Sequence, residues 1–186
     1  MSLLIFGLGN IGEKYEGTRH NIGFEVLDEV AKKRGITFAS DRLAQSAKFQ
    51  IGGKSVYLLK PTTFMNLSGD AVSLWMRKSN SVTSEILIVT DDLALPFGTI
   101  RTKSKGSSAG HNGLTDIEQK LNSQQYARMR MGIGSDFPKG QQVNFVLGQF
   151  DAKDQEQKKV WVEKAADAVL CFCTRGLETT MNQFNG

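Results

Sequence analysis

The order of apolar and polar positions divides this chain into short buried runs and longer amphipathic ones. Residues 3–8 form an apolar run broken by Gly7 and followed by Gly9 and Gly12, which predicts a buried strand entering a loop. Within residues 21–34, Phe24, Leu27, Val30 and Ala31 recur at helical spacing, and Gly35 is placed to end that helix. Residues 49–59 predict a hairpin turning at Gly52-Gly53, with Lys60-Pro61 ending its second strand. A short helix is predicted over 68–77, with Ala71, Val72, Trp75 and Met76. Residues 86–90, rich in β-branched side chains, predict a central strand that ends directly on Asp91-Asp92. Further strands are predicted at 99–103 and 129–134, and a short helix at 114–121. Residues 154–174 predict a long amphipathic helix with Trp161, Ala165, Ala168, Val169 and Phe172 on one face and Gly176 just beyond it.

Strands and helices alternate without repeats or low-complexity linkers, which predicts an α/β fold with one sheet sandwiched between helices. A length of 186 residues fits a single domain over 1–186. A hydrophobic content of 40% is enough for a full core without disulfide or metal. Cys171 and Cys173 sit one residue apart in an apolar stretch, where helical geometry turns them away from each other, so they read as core thiols. No leader-like N-terminus and no membrane-length apolar run are visible, so a soluble cytoplasmic protein is expected. The net charge of +4 permits a polyanionic partner without demanding one.

Gly7-Leu8-Gly9-Asn10-Ile11-Gly12 matches the dinucleotide fingerprint G-x-G-x-x-G. That motif works when its last glycine opens a helix facing pyrophosphate, whereas here eight residues, 13–20, intervene before the expected helix start. Nucleotide binding is therefore disfavoured, and the glycines are expected to let Asn10 approach a ligand at a strand end. The Asn66-Leu67-Ser68 sequon carries no weight without a secretory signal.

The chain has two histidines, His20 in a polar loop and His111 in a glycine-flanked turn before a helix. Imidazole is the natural general base at neutral pH, although His20 equally fits a helix-capping surface residue. His111 fits a plain turn residue, since a cation is unwelcome at a helix N-terminus. Asp91, at a strand end, is placed to orient an imidazole as in hydrolytic triads. There is no G-x-S-x-G elbow, no cysteine in a catalytic-looking loop and no clustering at metal-ligand spacing. For a hydrolase, that leaves direct attack by water. Asn10, Asn66 and Asn112 occupy loops where an amide would hold a carbonyl or an oxyanion, though each alone is an ordinary turn residue. Arg101, Lys103 and Lys105 alternate along one strand, and Arg128 and Arg130 along another, giving two basic stripes suited to phosphates or simply to water.

Taken in order and spacing, several segments resemble the bacterial peptidyl-tRNA hydrolase family. They are Gly7-Leu8-Gly9-Asn10, Thr18-Arg19-His20-Asn21-Ile22-Gly23-Phe24, Lys60-Pro61-Thr62-Thr63-Phe64-Met65-Asn66-Leu67-Ser68-Gly69 and Asp91-Asp92-Leu93. Gly106-Ser107-Ser108-Ala109-Gly110-His111-Asn112-Gly113-Leu114, Arg128-Met129-Arg130-Met131-Gly132-Ile133-Gly134 and Phe145-Val146-Leu147-Gly148 complete the set. The resemblance implies a single mixed sheet flanked by helices on both faces, and a monomer without metal or other cofactor. It implies hydrolysis of the ester of peptidyl-tRNA, with His20 as base, Asp91 polarising it, and Asn10 beside them. Tyr15, Met65, Asn66 and Asn112 would contact the substrate. Arg101, Lys103, Lys105 and Arg130 would meet tRNA phosphates near the acceptor stem and terminal CCA, and Lys158, Lys159 and Lys164 would lie on a helix also facing tRNA. Ile11, Ala94 and Ala109 depart from the family's usual proline, acidic residue and glycine. A non-catalytic RNA-binding protein on the same scaffold is the alternative.

Overall fold

The apolar run at 3–8 becomes strand β1 (Ser2–Gly7) at the heart of one sheet; the computed structural model describes all 186 residues. Successive side chains of a strand point to opposite faces. Leu3 and Ile5 enter one core with helices α1 (Ile22–Arg34) and α5 (Gln155–Phe184). Leu4 and Phe6 enter a second core with α2 (Ser68–Ser79) and α3 (Asn112–Leu121). Each such side chain, once fully buried, contributes about 1.5–3 kcal/mol. Burial on both faces explains why the strand reads as a continuous apolar run rather than as an alternation.

The sheet has seven strands: β1, β2 (Ala39–Asp41), β3 (Ala44–Ile51), β4 (Lys54–Pro61), β5 (Ile86–Asp92), β6 (Ile100–Lys103) and β7 (Ala127–Gly132). Their order is β2-β3-β4-β1-β5-β7-β6. Strands β4, β1, β5 and β7 are parallel; β2 and β3 extend one side antiparallel, and β6 closes the other side antiparallel to β7. This is a mixed sheet between two helical layers, as expected. The hairpin turns at Gly52 and Gly53, both at positive φ (55° and 76°), which suits a two-residue turn. No helix is long and apolar enough to cross a membrane.

Three elements depart from the sequence reading. Strand β2 is three exposed residues on the sheet's rim, and helix α4 (Gln142–Val146) buries none of its residues, so neither leaves an apolar period in the sequence. The last helix does not stop near Thr174. Gly176 breaks it (φ 86°, ψ 176°), and the chain then resumes to Phe184, with Leu177 and Phe184 packed on the first core. The second basic stripe is not a solvated face. Arg128 is 1% exposed, stacked on Tyr126 at 4.1 Å, bonded to the carbonyl of Gln124 and 3.8 Å from Glu118 of α3.

The feature that places the site is the close approach of α1 to the sheet. A Cβ at Gly23 would lie 2.5 Å from both the Leu8 nitrogen and the Val89 oxygen, and one at Gly7 would lie 2.2 Å from the Gly23 oxygen. Two bare backbones thus let the first turn of α1 settle against the ends of β1 and β5. Gly9 of the fingerprint segment likewise lies against Phe24 and Asn21, while Gly12, at φ 115°, turns the chain without touching α1.

Candidate active site

The 3-10 turn Arg19–Asn21 leads directly into α1, so the helix's contact with the sheet carries His20 to the end of β5. There His20 Nδ1 lies 2.8 Å from Asp91 Oδ2. The sequence pair is real in space. Asp91 is 3% exposed, and its other oxygen, Oδ1, lies 2.8 Å from His111 Nε2. One carboxylate therefore bridges two imidazoles, whose ring centroids are 5.0 Å apart. Burial alone would raise the Asp91 pKa; the two imidazoles more than reverse this and hold its carboxyl below the usual carboxylate range.

His111 was legible as a turn residue, but its role was not. It is the N-cap of α3, and its Nδ1 accepts from the backbone N–H groups of Gly113 (3.1 Å) and Leu114 (3.3 Å). An accepting Nδ1 carries no proton, so the ring is neutral and its proton sits on Nε2. That N–H donates toward Asp91, with the Thr90 hydroxyl also 2.8 Å from Nε2. The helix N-terminus, which disfavours an imidazolium, fixes the tautomer of a neutral ring instead. Thr90 is a further member of the site that sequence reasoning did not single out; its place at the end of the central strand, beside Asp91, was the available signal.

His20, Asp91, His111, Asn112 and Arg130 line one cleft of about 790 Å³, counted to its open mouth. Val143 and Val146 of α4 and Leu93 and Ala94 form its apolar walls. Arg19 ties α4 to this turn: its guanidinium donates to the Phe145 carbonyl (3.0 Å) and stacks over the Phe145 ring at 4.1 Å. His20, Asp91 and His111 are also the one grouping of side chains with metal-ligand chemistry. Both Asp91 oxygens, both His111 nitrogens and His20 Nδ1 are engaged with one another, with Thr90 or with the α3 backbone, which leaves His20 Nε2 as the one ring nitrogen of the group without a protein partner.

Asn10 is 8% exposed and bonded to the turn that carries His20. Its backbone N–H donates to Asn21 Oδ1 (2.8 Å), and Asn21 Nδ2 returns a bond to the Asn10 carbonyl (2.9 Å). The Met65 N–H donates to Asn10 Oδ1 at 2.7 Å. That bond orients the amide, leaving its Nδ2 hydrogens as the groups on offer. Met65 is buried, whereas Asn66 beside it is exposed. Tyr15 is half-buried against Phe64, ring centroids 6.4 Å apart. Asn10 lines a depression with Glu16, Glu25 and Asp28, and its bonds to Asn21 tie it to the residue next to His20.

The expected phosphate ligands also divide. Arg101 stands opposite Arg130 and Lys103 opposite Arg128 in the β6–β7 register, so all four share a face. Arg130 Nε is engaged by Asp92, and Arg128 lies 3.8 Å from Glu118. Arg101, Lys103 and Lys105 are exposed, while on the long helix Lys158 is paired with Glu25 at 2.9 Å.

The family model for peptidyl-tRNA hydrolase matches residues 4–186. The chain belongs to the peptidyl-tRNA hydrolase family. The peptidyl-tRNA hydrolase of Cytophaga hutchinsonii is 54% identical over 185 residues, covering 100% of this chain and 98% of that protein. That of Phocaeicola vulgatus is 53% identical, covering 100% and 99%. The crystal structure of peptidyl-tRNA hydrolase from Acinetobacter baumannii superposes with a TM-score of 0.92 at 35% identity, covering 99% of this chain and 94% of that one. Membership in the family thus rests on the whole chain, not on a motif.

Proposed function

We propose that this peptidyl-tRNA hydrolase family member cleaves the ester between a peptide's terminal carbonyl and a ribose hydroxyl of tRNA, by water that His20 activates. The observation that carries the mechanism is the His20 Nδ1–Asp91 contact of 2.8 Å onto a buried carboxylate. With Nδ1–H donated to Asp91, His20 Nε2 holds the lone pair that receives a proton from water. The hydroxide adds to the carbonyl carbon, and the oxyanion takes hydrogen bonds from the Asn10 Nδ2 hydrogens that Met65 orients. Collapse expels the ribose oxygen, which recovers the proton from the His20 imidazolium. Asp91 stabilises that cation as it forms.

Asn112 holds the water or the tRNA end at the cleft's rim, and Tyr15, Met65 and Asn66 flank the acyl group. Arg101, Lys103 and Lys105 bind acceptor-stem phosphates, while Arg130, held by Asp92, turns the rest of its guanidinium to the cleft and the CCA end. Sequence preference is then slight, and affinity falls with salt by about 0.9 log unit per log unit for each duplex phosphate neutralised. The protein acts as a cytoplasmic monomer, where translation supplies the substrate.

Purified protein should release blocked peptide from peptidyl-tRNA, and His20→Ala should lower kcat by about 10²–10⁴ with KM changed far less. Wild-type turnover by that variant would overturn the mechanism. Absence of release by the parent protein would leave a non-catalytic RNA-binding role, against which the bonded His20–Asp91 pair argues.

A further inference from the structure

Strand β6 is the outermost strand on its side of the sheet and pairs within it only with β7. The register places Arg101 against Arg130 and Lys103 against Arg128, and like charges directly opposite each other push strands apart. On β7 the charge is balanced by Asp92 and Glu118. On β6 it is not: Arg101 and Lys103 take part in no ion pair. Something other than charge must keep this short strand of four residues in place.

Its outer edge is held by the segment that follows α5. The Thr102 N–H donates to Asn185 Oδ1 at 2.7 Å, and Asn185 Nδ2 donates to the Thr102 carbonyl at 3.0 Å. A side-chain amide here takes the place of a neighbouring strand's peptide group. Beside it, the Gly186 N–H donates to the Ile100 carbonyl (3.0 Å) and the Ile100 N–H to the Gly186 oxygen (3.3 Å). The break at Gly176 lets the last part of α5 pack Leu177 and Phe184 on the core and deliver Asn185 to this edge.

We propose that Asn185 is a positioning residue for tRNA: it locks β6 from outside so that Arg101 and Lys103 stand at a fixed spacing for successive phosphates. The inference rests on reading the β6 face as the tRNA surface. Asn185 touches no reacting atom, so its effect belongs to binding and not to the chemical step.

Asn185→Ala removes both bonds to Thr102 and leaves those of Gly186. Steady-state kinetics on peptidyl-tRNA should show KM raised about fivefold to tenfold, from two lost hydrogen bonds, with kcat within about twofold. An N-blocked aminoacyl ester of adenosine, which lacks the stem, should be hydrolysed as by the parent. Hydrogen exchange at the Thr102 amide should quicken. The double variant Arg101→Ala/Lys103→Ala is the control. If it raises KM while Asn185→Ala does not, the positioning role is overturned. If the double variant itself leaves KM unchanged, the tRNA reading of β6 falls and the inference with it. A fall in kcat on both substrates in Asn185→Ala would show a global effect and also overturn the proposal.

Discussion

Replacing Asp91 by asparagine tests the site most sharply, because the two imidazoles cannot respond in the same way. Asp91 accepts N–H donors at both oxygens, each at 2.8 Å. An amide keeps one acceptor and turns the other atom into a donor. If the new NH₂ faced His111, that ring would have to move its proton to Nδ1 and abandon the Gly113 and Leu114 amides. Orphaning buried groups costs about 1–3 kcal/mol each. If the NH₂ faces His20 instead, that ring moves its proton from Nδ1 to Nε2, and no α3 amide is lost. The second arrangement is the cheaper and is expected. It leaves His20 with a proton on the nitrogen that should receive one from water. The comparable carboxylate-to-amide change in a serine protease triad lowers kcat by about 10⁴. A loss of about 10²–10⁴ is expected here, or about 3–5 kcal/mol at 1.36 per decade. Single-turnover release of blocked peptide from tRNA at saturating enzyme measures it directly, with KM expected to change little. Asp91→Asn within threefold of the parent enzyme would refute the tautomer argument.

The same carboxylate makes stability depend on acid. Burial opposes ionisation of Asp91, but the imidazoles prevail and its folded pKa lies below the ordinary value. Its contribution is therefore complete above about pH 4 and is lost as pH falls toward the folded value, so urea unfolding from pH 5 down to pH 2 should fall less steeply for Asp91→Asn; an unchanged slope would contradict this. Ala109 holds a positive φ of 49°, which costs an L-residue about 1–2 kcal/mol. Ala109→Gly should raise the melting temperature by a few degrees, less what glycine's extra freedom in the unfolded chain takes back, and a fall would count against the strain. Gly23→Ala, whose Cβ would meet Leu8 and Val89 backbone at 2.5 Å, should cost about 1–3 kcal/mol in urea unfolding and lower kcat by displacing His20's turn. Parent-like values in both would show that α1 can yield there.

The central strands were legible because burial on both faces leaves continuous apolar runs, as in β1 and β5. Strand β2 and helix α4 lack buried apolar positions, so nothing in their patterning marks them. Its strand-end position marked Asp91 as a carboxylate placed to orient an imidazole, the resemblance supplied His20 as that imidazole, and neither disclosed the bridge to His111. Helix-dipole reasoning argued against a cation at 111 and overlooked a neutral ring accepting backbone amides. Alternation likewise placed Arg128 correctly on a face with Arg130. It carried no information about what would pack over that face, where Glu118 of α3, Tyr126 and the Gln124 carbonyl enclose Arg128.

The parallel centre of the sheet has a consequence for how the molecule comes into being. β1 pairs with β4 at Leu3 and Val56 and with β5 at Leu4 and Ile86, so neighbours in space are distant along the chain. A growing polypeptide presents His20 early and Asp91 much later. Their contact forms only when β5 slots in beside β1, so a fragment lacking that strand lacks the pair altogether.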